Sequence, residues 1–307
     1  MAEDKRDPST IVKSAAAEPP DAAEQAAVQV RVETNGLSDR GLRREGNEDH
    51  FLIAQIDRTW RTLQTNMPAD AFPSAVTDSV TVQIVADGMG GAVGGEVASR
   101  TAIGTFVDIV LRTPNLILRL DKQSTQDVLT RMTARFEQIK HALEAAVRRD
   151  PTLTGMGTTM TLAVNFRADL LVAHVGDSRA YLFRKSHLER LTRDQTMVQR
   201  LLERGAISHE EVASHPMRHL LVGVLGTKGK PIDVELHFIS LEDGDQVLLC
   251  SDGLTEMVTE ADIADTLAAA PTADTACQRL VDLANSHGGK DNVTVVVSRY
   301  QIAPVVG

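Results

Sequence analysis

Five aspartates stand at the ends of apolar runs: Asp49 ahead of FLIAQI, Asp87 after VQIVA, Asp177 after LLVAHVG, Asp252 after VLLCS, and Asp291 ahead of VTVVVSRY. Asp87 and Asp252 are each followed by a glycine, Gly88 and Gly253. A strand that runs into Asp-Gly puts a carboxylate at the rim of a sheet, and the glycine lets the backbone turn sharply and bring its carbonyl close. Carboxylates that converge raise one another's pKa unless a counter-charge is present. Hard divalent cations supply it, and carboxylate, carbonyl and water oxygens suit Mg²⁺, Mn²⁺ or Ca²⁺. With four or five acids a pair of ions fits, and a water between them would be acidified into a nucleophile. Any one Asp-Gly also reads as an ordinary turn, and Asp177 alone as a hairpin cap. The joint pattern points to metal.

Arg44, in RGLRREGNEDH, is the candidate phosphate ligand, because a guanidinium pairs bidentately with a phosphate monoester. With Arg40 and Arg43 beside it, a solvated basic loop is the alternative reading. His50, His174 and the group His209, His215 and His219 raise a zinc or acid–base site, but His174 lies in an apolar strand and reads as a core histidine, and His209, His215 and His219 show no tight ligand spacing and read as structural or solvated. Ser251 lacks a Gly-x-Ser-x-Gly elbow, and DGMGGAVGG matches neither GxxxxGK[ST] nor a clean GxGxxG.

The elements that must carry these residues follow from patterning. Residues 1–28 are rich in Ala, Pro and charge and read as a disordered leader. Strands are expected at 28–32, 51–56, 80–86, 158–166, 170–175, 180–183, 234–239, 246–250 and 293–300. Helices are expected at 94–112, 126–149, 261–270 and 273–286, with a helix pair in 194–214. Short connections at 167–169 and 176–178 predict an antiparallel meander through 158–183. Strands linked by hairpins, with helices inserted in pairs, give an α+β fold in one domain. The formal net charge of −10 argues against a nucleic-acid partner, since phosphate contacts need clustered cations. Two cysteines exclude a disulfide framework and a Cys-rich zinc site. No apolar run approaches the roughly 20 residues that span a bilayer, and the charged start MAEDKRDPST shows no secretory signal, so no membrane insertion and a cytoplasmic location are expected.

Six segments in order, SDRGLRREGNEDH, VADGMGGAVGGEVAS, GMGTTMTLAV, VAHVGDSRAYLFR with LTRDQT, LLCSDGLTEMV and GGKDNVTVVV, resemble the bacterial branch of the PP2C (PPM) metal-dependent Ser/Thr protein phosphatases. The likeness covers about residues 30–300. It implies a central antiparallel β-sandwich flanked by helices on both faces, in a single domain over 29–302 with a mobile flap at 194–225 and a tail at 303–307. It implies a binuclear Mn²⁺ or Mg²⁺ centre in which Asp87 bridges, the Gly88 carbonyl binds one ion, and Asp49, Asp252 and Asp291 hold the second. Asp177 matches an acid that helps bind a third ion, Glu48 an acceptor that orients metal-bound water, Arg44 the phosphate clamp, and Asn292 a support for Asp291. The implied activity is direct hydrolysis of phosphoserine or phosphothreonine by a metal-activated hydroxide. The implied partners of this monomer are phosphorylated proteins, a Ser/Thr kinase or its substrates. Met89 occupies the place of a histidine that some members use as general acid, which leaves the proton donor unassigned. The alternatives are a non-catalytic phosphoprotein-binding module on the same fold, and a phosphatase of small molecules.

Overall fold

Alternating valines fix the first strand. In a computed structural model that describes residues 28–68, 75–113, 125–212, 214–226 and 232–304, β1 (Val28–Asp39) pairs antiparallel with the closing strand β12 (Val293–Pro304) along its whole length. Ala303 and Pro304, expected in the tail, continue β12 opposite Gln29 and Val28, whereas the leader up to residue 27 lies outside the described residues. The rest of the first sheet is β11 (Gln246–Cys250), β8 (Arg179–Arg184) and β9 (His187–Arg190), in the order β1-β12-β11-β8-β9. The second sheet has β2 (His50–Arg61), β3 (Ala75–Ala86), β6 (Met160–Phe166), β7 (Asp169–Val175) and β10 (Glu235–Ser240), in the order β10-β7-β6-β3-β2. A two-residue ladder joins β4 (Gly88–Met89) to β5 (Gly157–Thr158).

The sheets stack face to face. Val85, Ala163, Val172, Leu182, Val247, Leu249 and Val296 interdigitate between them, the packing expected of two half-buried sheets. Helices α1 (Gly91–Arg112) and α2 (Thr125–Arg149) cover the outer face of the second sheet, with Phe106, Phe136, Ile139 and Leu143 fully or nearly buried. Helices α5 (Asp252–Thr255), α6 (Glu260–Ala269) and α7 (Ala273–Ser286) cover the first sheet through Leu254, Ile263, Leu267 and Leu280. Thr259 and Thr272 cap α6 and α7 with their hydroxyls, which sets where each helix starts. The result is the helix–sheet–sheet–helix sandwich expected from the sequence.

Strands 158–183 do not form one meander. β6 and β7 pair, but β8 lies in the other sheet beside β11. Residues 176–178 are therefore a corner between sheets, turned by Gly176 at φ 122°. The connection from β10 to β11 crosses in the same way. Period-two patterning marks a strand and its buried face, but when both faces are covered it carries no information on which sheet the strand joins.

The segment between β9 and β10 carries the expected helix pair, α3 (Met197–Glu203) and α4 (His209–Val212). Gln195 anchors both its ends: Oε1 accepts from Gly176 N at 3.1 Å and Nε2 donates to Asp233 O at 2.8 Å.

Candidate metal and phosphate site

Topology brings the aspartates together. His50 pairs with Ala86, Val85 with Thr161 and Met160 with Val175, so the start of β2 and the ends of β3 and β7 share one edge of the second sheet. Cys250 pairs with both Val295 and Arg179, so the end of β11, the start of β12 and the start of β8 share the matching edge of the first. Asp49, Asp87 and Asp177 thus project from one sheet, and Asp252 and Asp291 from the other, at the same end of the sandwich.

There they line or underlie a cavity of about 880 Å³. Arg44, Glu48, Asp87, Gly88, Asp177, Asp252, Asp291 and Asn292 form its wall. Asp49 lies beneath, only 4% exposed. Its Oδ2 accepts from Ser251 Oγ at 2.7 Å, and that hydroxyl accepts from Thr294 N at 2.9 Å. Among the described residues, neither Asp177 nor Asp252 has a carboxylate salt bridge.

The electrostatics show how closely the acids face one another. Burial pushes the Asp49 carboxyl up to about 6, with Ser251 pulling the other way and Asp291 adding to the rise. Burial, then the negative charges of Asp49, Asp252, Asp177 and Asp291, raise Asp87 well above the usual carboxylate range. Asp252 is raised by burial and by Asp177, Glu256, Asp291 and Asp49. Burial and Asp194 push Asp177 up to about 7, against the pull of Arg179. Glu48 is raised by burial despite Arg44. Such a set takes up protons more readily than isolated aspartates do, and cations bound there would compete with those protons.

The supporting loops are tightly fixed. Asn292, 5% exposed, donates from Nδ2 to Arg40 O and Gly46 O, both at 2.9 Å, and accepts from Glu48 N at 2.8 Å through Oδ1. Its own N–H donates to Asp291 Oδ1 at 2.8 Å. One amide side chain thus ties the Arg40–Glu48 loop to Asp291. Thr159 Oγ1 accepts from Asp87 N at 3.0 Å, and Thr158 Oγ1 donates to Asp87 O at 2.8 Å. Gly88 is crowded: a Cβ there would lie 2.1 Å from Gly95 O and 2.7 Å from Glu48 O. At Gly253 a Cβ would lie 2.0 Å from Asn292 O, so only glycine lets α5 approach the Asn292 loop.

Arg44 is half exposed on the rim, and its Nη2 reaches Asp291 Oδ2 at 2.5 Å. His174 is buried, held by Thr161 Oγ1 at 2.8 Å and Gly176 O at 3.0 Å, as a core histidine. His50 contacts Ser99 Oγ at 2.9 Å. His219, read as structural or solvated, is half exposed. It lines the cavity, its Nδ1 lies 2.8 Å from Glu256 Oε1, and it forms a three-residue cluster with Asp252 and Glu256 whose ligand atoms lie within 4.8 Å of one another. Glu256 stands beside it in the cavity wall. Its signal was the spacing Asp252–Glu256, one helical turn, which faces both carboxylates the same way. His219 had no local signal, because only the fold of the flap brings it across.

The aspartates and Gly88 offer carboxylate and carbonyl oxygens as donors. That set fits hard divalent cations such as Mn²⁺ or Mg²⁺. Among the described residues, no helix is long and apolar enough to cross a membrane.

Known proteins bear on the same region. The family model described as protein phosphatase 2C matches residues 60–285. The serine/threonine phosphatase stp of Listeria welshimeri is 34% identical over 220 residues, which is 72% of this chain and 84% of that protein. The serine/threonine protein phosphatase PstP of Mycobacterium tuberculosis is 36% identical over 262 residues, 85% of this chain and 43% of the longer relative. The crystal structure of the catalytic domain of PstP in complex with two manganese ions superposes with a TM-score of 0.67 at 32% identity, covering 89% of this chain and all of that one. A sandwich with these sheets, carrying six motifs in register and matched over most of its length, leaves one assignment: the chain belongs to the protein phosphatase 2C family.

Proposed function

We propose that this protein is a metal-dependent serine/threonine phosphatase that releases phosphate from phosphorylated proteins by direct hydrolysis. The observation that carries this reading is the convergence of Asp49, Asp87, Asp177, Asp252 and Asp291 at one cavity, where burial and neighbouring acids raise the carboxyls of Asp49, Asp87, Asp177 and Asp252. Asp87, the Gly88 carbonyl, Asp49, Asp252 and Asp291 are the residues that would hold two Mn²⁺ or Mg²⁺ ions, with Asp177 toward a third. When bound, the ions supply positive charge for the phosphoryl oxygens and an acidified water as nucleophile. Glu48, tucked against Gly95 in the cavity wall, would accept a hydrogen bond from such a water and orient it. Arg44 stands at the rim, where leaving Asp291 for a phosphoryl oxygen would orient the ester for in-line attack. Asn292 keeps Asp291 and the Arg44 loop in register. Met89, 40% exposed at the cavity, carries no proton, so the leaving oxygen must draw its proton from another source.

This reading includes a single catalytic domain over 29–302 with 194–225 as its flap. It also includes a monomer acting on a Ser/Thr kinase or that kinase's substrates. The test is phosphate release from a phosphothreonine peptide with and without Mn²⁺. Release that depends on Mn²⁺ and is lost in Asp252→Asn supports the reading. Wild-type turnover in EDTA, or in that variant, overturns it.

A further inference from the structure

A second cavity, of about 450 Å³, lies under the flap next to the catalytic one. The two share Asp177, Arg218, His219, Asp252, Glu256 and Lys290 in their walls, so they open into each other. Its floor is partly apolar, with Val198, Val212 and Met257. The charges that remain once the metal acids are set aside are unequal. Asp194 accepts from Arg179 Nε at 3.0 Å and Nη2 at 2.8 Å, and also from Arg190, so one carboxylate faces two guanidinium groups. Glu256 is engaged by His219. Arg218 and Lys290 are exposed on the shared wall, and neither side chain has an ion-pair partner among the described residues.

We propose that this under-flap chamber is a second anion subsite. It receives an anionic side chain, aspartate, glutamate or a second phosphoresidue, that lies within about three residues of the phosphoresidue being hydrolysed. Arg218 and Lys290 are its specificity-determining residues. The reach is set by the chain: three extended residues span roughly 10 Å, enough to pass from one cavity to its neighbour. Unpaired cations at the edge of a low-dielectric cleft attract a second negative group more strongly than cations in open water would. The apolar floor accepts the methylene stem of such a side chain. The inference rests on the phosphatase reading above and narrows its substrates to acidic or multiply phosphorylated segments.

The experiment uses the full chain with excess Mn²⁺ and a set of phosphothreonine peptides. These differ only two or three residues from the phosphothreonine, on either side, where they carry Ala, Lys, Glu or a non-hydrolysable phosphonate analogue of phosphothreonine. On at least one side, kcat/KM for the anionic peptides exceeds that for the Ala peptide about tenfold, as one charge-assisted contact implies, and the Lys peptide falls below it. The Glu and phosphonate arms separate the two sources of the anion. In the double variant Arg218→Gln/Lys290→Gln the anionic-to-Ala ratio drops to about one, whatever the absolute rate. In Arg218→Lys/Lys290→Arg, which keeps both charges, the ratio persists. It shrinks as salt rises from about 50 to about 500 mM. A wild-type ratio near one, or a ratio that survives removal of both charges, overturns the subsite while leaving the phosphatase standing. No phosphate release from any peptide removes both.

Discussion

Ser251 and Asp49 meet at 2.7 Å across the two sheets, the hydroxyl from the end of β11 donating to a carboxylate that stands just ahead of β2. Ser251 also accepts from Thr294 N, so its proton has one direction to point. The bond fixes one Asp49 oxygen beneath the cavity. Ser251→Ala removes a buried donor from a carboxylate and is expected to lower Mn²⁺ affinity about 10- to 100-fold, as loss of a group that orients a ligand does. Calorimetric titration of the variant with Mn²⁺ checks this. An unchanged affinity would show that Asp49 needs no such support.

Arg44 offers a separate test. Its contact with Asp291 occupies the group expected to bind phosphate, so substrate and Asp291 compete for it. Arg44→Ala is expected to raise KM for a phosphopeptide about 10- to 100-fold, the scale of a hydrogen bond between charged groups. Arg44→Lys should recover only part, since an ammonium does not form the bidentate fork. Steady-state kinetics of both variants decide it, and equal KM in all three proteins would remove Arg44 from the phosphate site.

Asn292 concentrates several bonds in one side chain. Asn292→Ala leaves two carbonyls and an N–H without their partner, and is expected to cost about 2–3 kcal/mol of stability. The variant should also lose most phosphatase activity, because Asp291 and the Arg44 loop are no longer tied together. Chemical denaturation and a phosphate-release assay on one preparation measure both effects. Full activity with lowered stability would restrict Asn292 to a role in folding.

The raised carboxyls set a pH dependence for the metal-free protein. Unfolded aspartates titrate near 4, while burial holds Asp49 up to about 6 and Asp177 up to about 7 in the folded chain. Between these values the folded protein binds more protons than the unfolded one, so its stability falls as pH rises. The stability contribution is whole below about pH 4 and lost by about pH 7. In EDTA, thermal unfolding is expected at lower temperature at pH 8 than at pH 5. Mn²⁺ should raise it most at pH 8, where it replaces protons already gone. Melting curves at the two pH values, with and without metal, show this directly, and a metal-free Tm that climbs with pH would contradict it.

Much of this was legible in the chain. Runs such as VQIVA and VTVVVSRY name their strands, and the aspartates at their ends name the rim of a sheet. The extension of β2 and β3 to twelve paired residues each, the short strand β9 and the one-turn helix α5 were not legible, because each is held by tertiary packing more than by its own pattern. The corner at 176–178 looked like a hairpin because a turn residue reports a change of direction and not the layer it leads to. His219 escaped for a related reason. A side chain carried on an inserted segment is placed by how that segment lies, and spacing along the chain says nothing of it.

The crossings at 176–178 and from β10 to β11 have a mechanical consequence. Because each layer contributes only part of the acidic ring, hydrolysis works as a gauge of how the two layers are seated. Pressure or mild denaturant that slides one layer by an ångström should extinguish turnover while the helical signal stays intact.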